Sequence, residues 1–136
     1  MSPDTLSDIA DGQAFDGVVA GAGVAGLSAA LFAAIAGLRP LLVEHTDRLG
    51  GTSAWSAGSA WIPNTHHAAA LGADDSIDKA ALYLRNSVGN ESPESLRMAF
   101  LRNGGAAVAQ LEQQSHVRFR ARPLHPDYNS DLPGAT

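Results

Sequence analysis

One six-residue turn, Gly21-Ala22-Gly23-Val24-Ala25-Gly26, restricts the fold of this chain more than any other feature, because it joins a short apolar stretch to an alanine-rich one. Residues 15–20 include Val18 and Val19 and read as a strand, thinned by Gly17 and Ala20. Beyond the turn, Ala25, Ala29, Ala30, Ala33 and Ala34 recur at helical spacing until Gly37 closes the run. A strand that turns through glycines directly into a helix is the first half of a parallel βαβ unit. The three glycines meet separate demands. Gly21 allows the sharp turn, Gly23 lets a pyrophosphate approach the backbone, and Gly26 lets the helix lie close on the sheet. The helix start then aims unpaired N–H groups and a positive dipole end at whatever sits in the turn, and a diphosphate is the natural ligand.

The following residues narrow the ligand. Residues 38–43 read as a second strand that delivers Glu44 roughly twenty residues beyond the turn, where a carboxylate meets the adenosine ribose hydroxyls. An acid there disfavours a 2′-phosphate, so FAD or NAD is expected rather than NADP. The run Gly50-Gly51-Thr52-Ser53 and its continuation Ser56-Ala57-Gly58-Ser59 let a backbone pass close to a flat ligand while offering N–H and O–H donors. A plain nicotinamide domain has no need of this second loop, which selects FAD.

Together these motifs make the chain similar to the FAD-binding amino-terminal part of the flavoproteins that include fumarate reductase, succinate dehydrogenase flavoprotein and 3-ketosteroid dehydrogenases. Ala60-Trp61-Ile62-Pro63-Asn64, Asp127-Tyr128 and Leu132-Pro133-Gly134 lean toward the ketosteroid branch, although Ala135 stands where that pattern has a further glycine. The resemblance implies that Ala22 and Gly26, with Gly21, Gly23 and Ala25, form the pyrophosphate turn and that Glu44 holds the ribose. It implies Thr52 and Ser53 near the phosphates beside Gly50 and Gly51, and Ala57, Gly58 and Ser59 against the flavin. Tyr128 falls where that branch has an active-site tyrosine. The implied reaction is dehydrogenation of a CH–CH bond next to a ketone in a small molecule, a steroid or another ketone, with hydride passing to the flavin. A fumarate reductase-like enzyme, a non-catalytic remnant and a simple dinucleotide-binding module remain alternatives.

The fold class expected is therefore α/β: a Rossmann-like FAD-binding βαβ unit followed by helices, an incomplete version of a larger flavoprotein fold. Residues 1–14 are expected to be a flexible N-terminus, 15–65 the βαβ unit and flavin loop, and 66–136 a mostly helical continuation truncated at its C-terminus. The missing C-terminal part of such an enzyme is then an expected partner, and the isolated 136-residue chain is not expected to be active. In the second half, residues 76–88 read as an amphipathic helix. Ser92 and Pro93 open another, and Gly104-Gly105 should interrupt or split it. Residues 117–122 alternate as a strand would, and an irregular proline-rich tail follows. Residues 64–75 read as a loop or a loose helix start, in which the adjacent His66 and His67 point to different faces, so no metal site is expected.

Composition excludes other classes. With a net charge of -5 and its Lys and Arg scattered, the chain has no nucleic-acid footprint. It has no cysteine for disulfide, thiolate metal site or nucleophile. The acidic start at Asp4, Asp8 and Asp11 is unlike a signal peptide, and the apolar run 24–38 is shorter than a membrane span, so a cytoplasmic location is expected.

Overall fold

The computed structural model describes residues 9–136; the first eight residues, part of the expected N-terminal segment, lie outside the described region. The chain divides into two compact units, Met1–Ser59 and Ala60–Thr136.

The first unit is built on a parallel strand pair, β1 (Gly17–Ala20) and β2 (Pro40–Val43), joined by helix α1 (Val24–Ile35). Gly17 pairs with Pro40 and Ala20 with Val43. Both strands are shorter than their apolar stretches. Pro40 has no N–H and begins β2, where no ladder donor is required. One step earlier, Asp16 N–H donates to the Arg39 carbonyl (3.0 Å), and Arg39 N–H donates to the Asp16 carboxylate (2.7 Å). Helix α1 ends at Ala36 with a reverse-turn cap. Gly37 N–H reaches the Ala34 carbonyl (2.9 Å) and Leu38 N–H the Ala33 carbonyl (3.0 Å), with Gly37 at φ +81° as this cap requires. No α1 residue is fully buried, and Val18 of β1 is 65% exposed, so the apolar sides of this unit are largely bare. A 3₁₀ turn at Gly51–Trp55, not expected from sequence, follows Gly50.

The second unit is helical: α2 (His66–Ala70), α3 (Ile77–Val88) and α4 (Glu94–Gln114). Thr65 and Ser76 cap α2 and α3, each hydroxyl accepting from an N–H of the first turn (3.3 and 3.2 Å). Ala80 and Tyr83 of α3 and Leu101 and Val108 of α4 are the buried apolar residues where these two helices pack. Trp61 lies against the rings of Tyr83 (5.7 Å between centroids) and Phe100 (6.2 Å), and its indole N–H donates to Asp127 (2.7 Å). That bond and the one from Asn129 N–H to the Tyr83 hydroxyl (3.4 Å) tie the irregular C-terminal tail to the helices.

Three expectations fail here, each for a physical reason. Gly104 and Gly105 do not break the helix, and α4 runs through them without interruption. A Cβ at Gly105 would lie 2.7 Å from the Asn64 carbonyl oxygen, and one at Gly104 would lie 2.9 Å from Ile62 Cγ2. The glycines therefore admit a neighbouring segment against the helix face. Ser92 does not cap α4; the cap position is Pro93, and the Arg97 guanidinium takes the carbonyls of Gly89 (2.6 Å) and Ser92 instead. Residues 117–122 form no strand, because their bonds go to the end of α4 rather than to a ladder. Arg118 donates to the carbonyls of Glu112, Ser115 and Val117, and Phe119 N–H donates to the Glu112 carboxylate (2.9 Å).

Replacing a helix-interior glycine by alanine ordinarily stabilises by about 1 kcal/mol. At Gly105 the sign should reverse, because the added methyl strikes backbone: Gly105→Ala is expected to destabilise by about 1–3 kcal/mol, measured by urea unfolding followed by far-UV circular dichroism.

Candidate functional site

The glycine turn of the first unit sits at the carboxyl ends of both strands, the place where open α/β sheets bind ligands. Parallel pairing continues into it: Gly21 N–H donates to the Val43 carbonyl (2.7 Å). Gly26 then comes so close to Gly21 that a Cβ there would overlap the Gly21 carbonyl oxygen and reach Val19 of β1 at 3.4 Å. The helix start is thus pressed onto the turn. Ala22 at its centre is wholly buried.

The second glycine loop closes against the first. Gly50 N–H donates to the Ala22 carbonyl (2.7 Å), Gly23 and Gly50 form a parallel bridge, and Val24 N–H points to the Ser53 hydroxyl (3.3 Å). A Cβ at Gly51 would lie 3.4 Å from Gly23 Cα, so the two loops touch through backbone. Gly21, Ala22, Gly23, Ala25 and Gly26 are thereby brought together with Gly50, Gly51 and Ser53. Thr52 is exposed on the 3₁₀ turn, and Ala57, Gly58 and Ser59 continue from it as an exposed irregular segment in which Gly58 N–H donates to the Ser56 hydroxyl (3.1 Å).

Glu44 follows β2 directly and turns its carboxylate back under the glycine turn. One oxygen accepts the Ala22 N–H (2.7 Å), and the other accepts the Thr46 N–H (3.0 Å) and Thr46 hydroxyl (3.1 Å). These donors, Ala22 foremost, lower its pKa from 4.5 to about 2. Three of its roughly four acceptor positions are filled by protein, leaving room for a ligand hydroxyl. Thr46 escaped notice in the sequence, where the acid-x-Thr spacing gives a weak sign of a carboxylate held by the next turn.

The arrangement fits an adenine dinucleotide. Helix α1 has no acidic residue in its first turn and its cap residue, Gly23, has no side chain, so apart from the Ser53 hydroxyl on Val24 N–H its own first turn leaves the positive end open. An ionised carboxylate and that helix start lie on either side of Ala22. The profile of the family described as FAD binding domain matches residues 16–132. The chain belongs to that family. FAD is its cofactor. It is 40% identical over 121 residues to 4-oxocyclohexanecarboxylate 2-dehydrogenase of Sinomonas cyclohexanicum, an alignment covering 89% of this chain and 21% of that protein. It is 40% identical over 113 residues to 3-oxosteroid 1-dehydrogenase of Rhodococcus opacus, covering 83% and 22%. Among solved structures it resembles the 3-ketosteroid delta1-dehydrogenase of Sterolibacterium denitrificans in complex with 1,4-androstadiene-3,17-dione. The TM-score is 0.83 at 34% identity, over 90% of this chain and 21% of that one. The chain spans about a fifth of the length of the relatives it matches. No helix among the described residues is long and apolar enough to cross a membrane.

In the second unit Tyr128 is fully exposed in the tail. His66 and His67 lie at a helix start, but their side chains do not diverge. They open α2, their ring centroids lie 4.0 Å apart, and both Nε2 atoms lie 3.0 Å from the Glu112 carboxylate.

The depressed pKa of Glu44 has a measurable consequence. Its bonds as a carboxylate contribute stability that is complete above about pH 4.5 and is lost as pH falls toward 2. Thermal midpoints of the wild type and Glu44→Gln should therefore converge on acidification through that window, whereas a constant difference would show that the carboxylate is not held as described.

Proposed function

We propose that this FAD-binding domain serves a flavin-dependent dehydrogenase that oxidises a CH–CH bond adjacent to a ring ketone. The observation that carries the reading is the closed pair of glycine loops over an ionised Glu44, the form of a flavin dinucleotide socket. The substrate class is supported by relatives at 40% identity, whose names share an oxo-bearing compound and dehydrogenation.

In this reading the N–H groups at the start of α1, from Ala25 and Gly26, take the pyrophosphate, with Gly21, Ala22 and Gly23 supplying close backbone. Glu44 accepts a ribose hydroxyl on its remaining lone pair while keeping Ala22 N–H. Gly50 and Gly51 keep the second loop close, and the hydroxyls of Thr52 and Ser53 face the phosphates. Ala57, Gly58 and Ser59 offer backbone along the ring system. When bound, FAD supplies the hydride acceptor; the chain's own task is to hold and orient it. Tyr128 is assigned to the carbonyl end of the substrate as a hydrogen-bond donor. The bare apolar sides of β1 and α1 support a further proposal: additional polypeptide covers them in the active enzyme.

Flavin absorbance and fluorescence quenching test the socket. The wild-type chain should retain FAD, and Glu44→Ala should weaken it by about 10- to 100-fold, the size expected for losing a hydrogen bond to a charged group. Unchanged affinity would remove Glu44 from the ribose. In an active preparation containing the polypeptide that completes the site, Tyr128→Phe should lower kcat on a 3-oxosteroid at least about ten-fold with FAD content unchanged. Equal turnover would exclude Tyr128 from the chemistry.

A further inference from the structure

Among the described residues, the second unit holds one cluster of His and carboxylate groups that the flavin socket does not use. His66 Nε2 lies 3.0 Å from Glu112 Oε2, and His67 Nε2 lies 3.0 Å from Oε1 and 3.1 Å from Oε2. The three donor atoms all fall within 4.8 Å of one another. Glu112 is mostly covered, with its side chain 14% exposed, while His67 is 27% and His66 51% exposed. An open groove of about 260 Å³, lined by His66, Ala109, Glu112 and Gln113, lies over the cluster.

The convergence has a clear origin. Consecutive helical residues normally face about 100° apart, but His66 and His67 occupy the first turn of α2, their rings lie against each other, and the Glu112 carboxylate lies within reach of both Nε2 atoms. The register is set two turns earlier on α4, where Gly105 lets the Asn64 carbonyl and the Thr65 backbone touch the helix. Seven residues on, Glu112 returns to the same face of α4, and His66 and His67 lie the same short step beyond Thr65.

We propose that His66, His67 and Glu112 form a binding site for a divalent transition-metal ion of the zinc class. Two imidazoles and one carboxylate are the donor set such ions take, and three protein ligands leave coordination positions for water in the groove. With metal–ligand bonds of about 2.0–2.1 Å, tetrahedral donors stand about 3.3 Å apart, so a small rotation of the side chains from their 3.0 Å contacts admits an ion. Phe119 N–H, 2.9 Å from the Glu112 oxygen that faces His67, orients the carboxylate from behind. Glu112 lies in the last turn of α4, where the helix dipole favours a cation. Arg118, the nearby cation, is bonded to the carbonyls of Glu112, Ser115 and Val117 rather than to the carboxylate. Bound there, the ion fastens α2 to the end of α4. The site is independent of the flavin socket.

The test uses the untagged chain, stripped with chelator and titrated calorimetrically with Zn²⁺, with Co²⁺ as a spectroscopic substitute. One Zn²⁺ per chain is expected, and His66→Gln and His67→Gln should each weaken it at least about ten-fold and abolish the visible Co²⁺ bands. Glu112→Gln should do the same, but it also loses part of its hold on Phe119. The half-exposed His66 therefore gives the decisive variant if the Glu112 substitution unfolds the unit. A variant lacking His45, His116 and His125 should bind as the wild type does. Absence of saturable binding, binding that survives either histidine substitution, or binding lost with the three control histidines would each overturn the proposal and leave the cluster as a hydrogen-bonded clasp.

Discussion

The first unit depends on the bond between Ala22 N–H and the Glu44 carboxylate, because it fixes the glycine turn relative to the strand that follows the helix. Parallel pairing brings the ends of β1 and β2 side by side, but the ladder stops at Ala20 and Val43. Beyond that point Gly21 N–H on the Val43 carbonyl and the Glu44 side chain tie the turn to the end of β2, and Gly50 and Ser53 hold it from the second loop. Among the described residues of the unit Ala22 alone is wholly buried, and its N–H and carbonyl are used by two different segments, Glu44 and Gly50. Burying that peptide without both partners would cost far more than either bond contributes. The turn, the acid and the second glycine loop therefore form one structural decision.

That coupling explains how the sequence could reveal the paired glycine loops and Glu44 beside them. Glycine chemistry is local: the turn at Gly21, the close contact at Gly26 and the reverse turn at Gly37 are each forced by backbone geometry within a few residues. Glu44 is legible because a strand of fixed length must deliver it to the level of the turn. The helix expected over residues 76–88 was legible for the same local reason, as α3 ends at a glycine at φ +58°; that Ser76 is its cap is a finding of the structure.

The failures share the opposite cause. Gly104-Gly105 looks like a breaker when only helix propensity is considered, yet the cost of about 1 kcal/mol per glycine is small beside the contact it permits with residues some forty positions away. Residues 117–122 alternate like a strand, but alternation states only that two faces differ, and among the described residues no partner strand meets them. Their donors instead close the end of α4, where orphan carbonyls need partners. His66 and His67 are hard to read from sequence because helical periodicity separates neighbouring side chains, whereas their convergence is set by Glu112, which lies 45 residues from His67.

The two principal carboxylates also differ in what they can exchange. Every protein donor on Glu44 is a peptide N–H or a neighbouring hydroxyl, neither of which gives up its proton at accessible pH. A newcomer at Glu44 must therefore be another donor, such as a hydroxyl, added to an acid that stays ionised. Two of the three donors on Glu112 are imidazoles, whose Nε2 atoms can exchange a proton for a metal bond. A cation can then replace those two hydrogen bonds while the Phe119 N–H keeps the carboxylate aimed. Similar hydrogen-bond counts thus give one acid suited to a hydroxyl-bearing ligand and another suited to an ion, and the difference lies in which donors can leave.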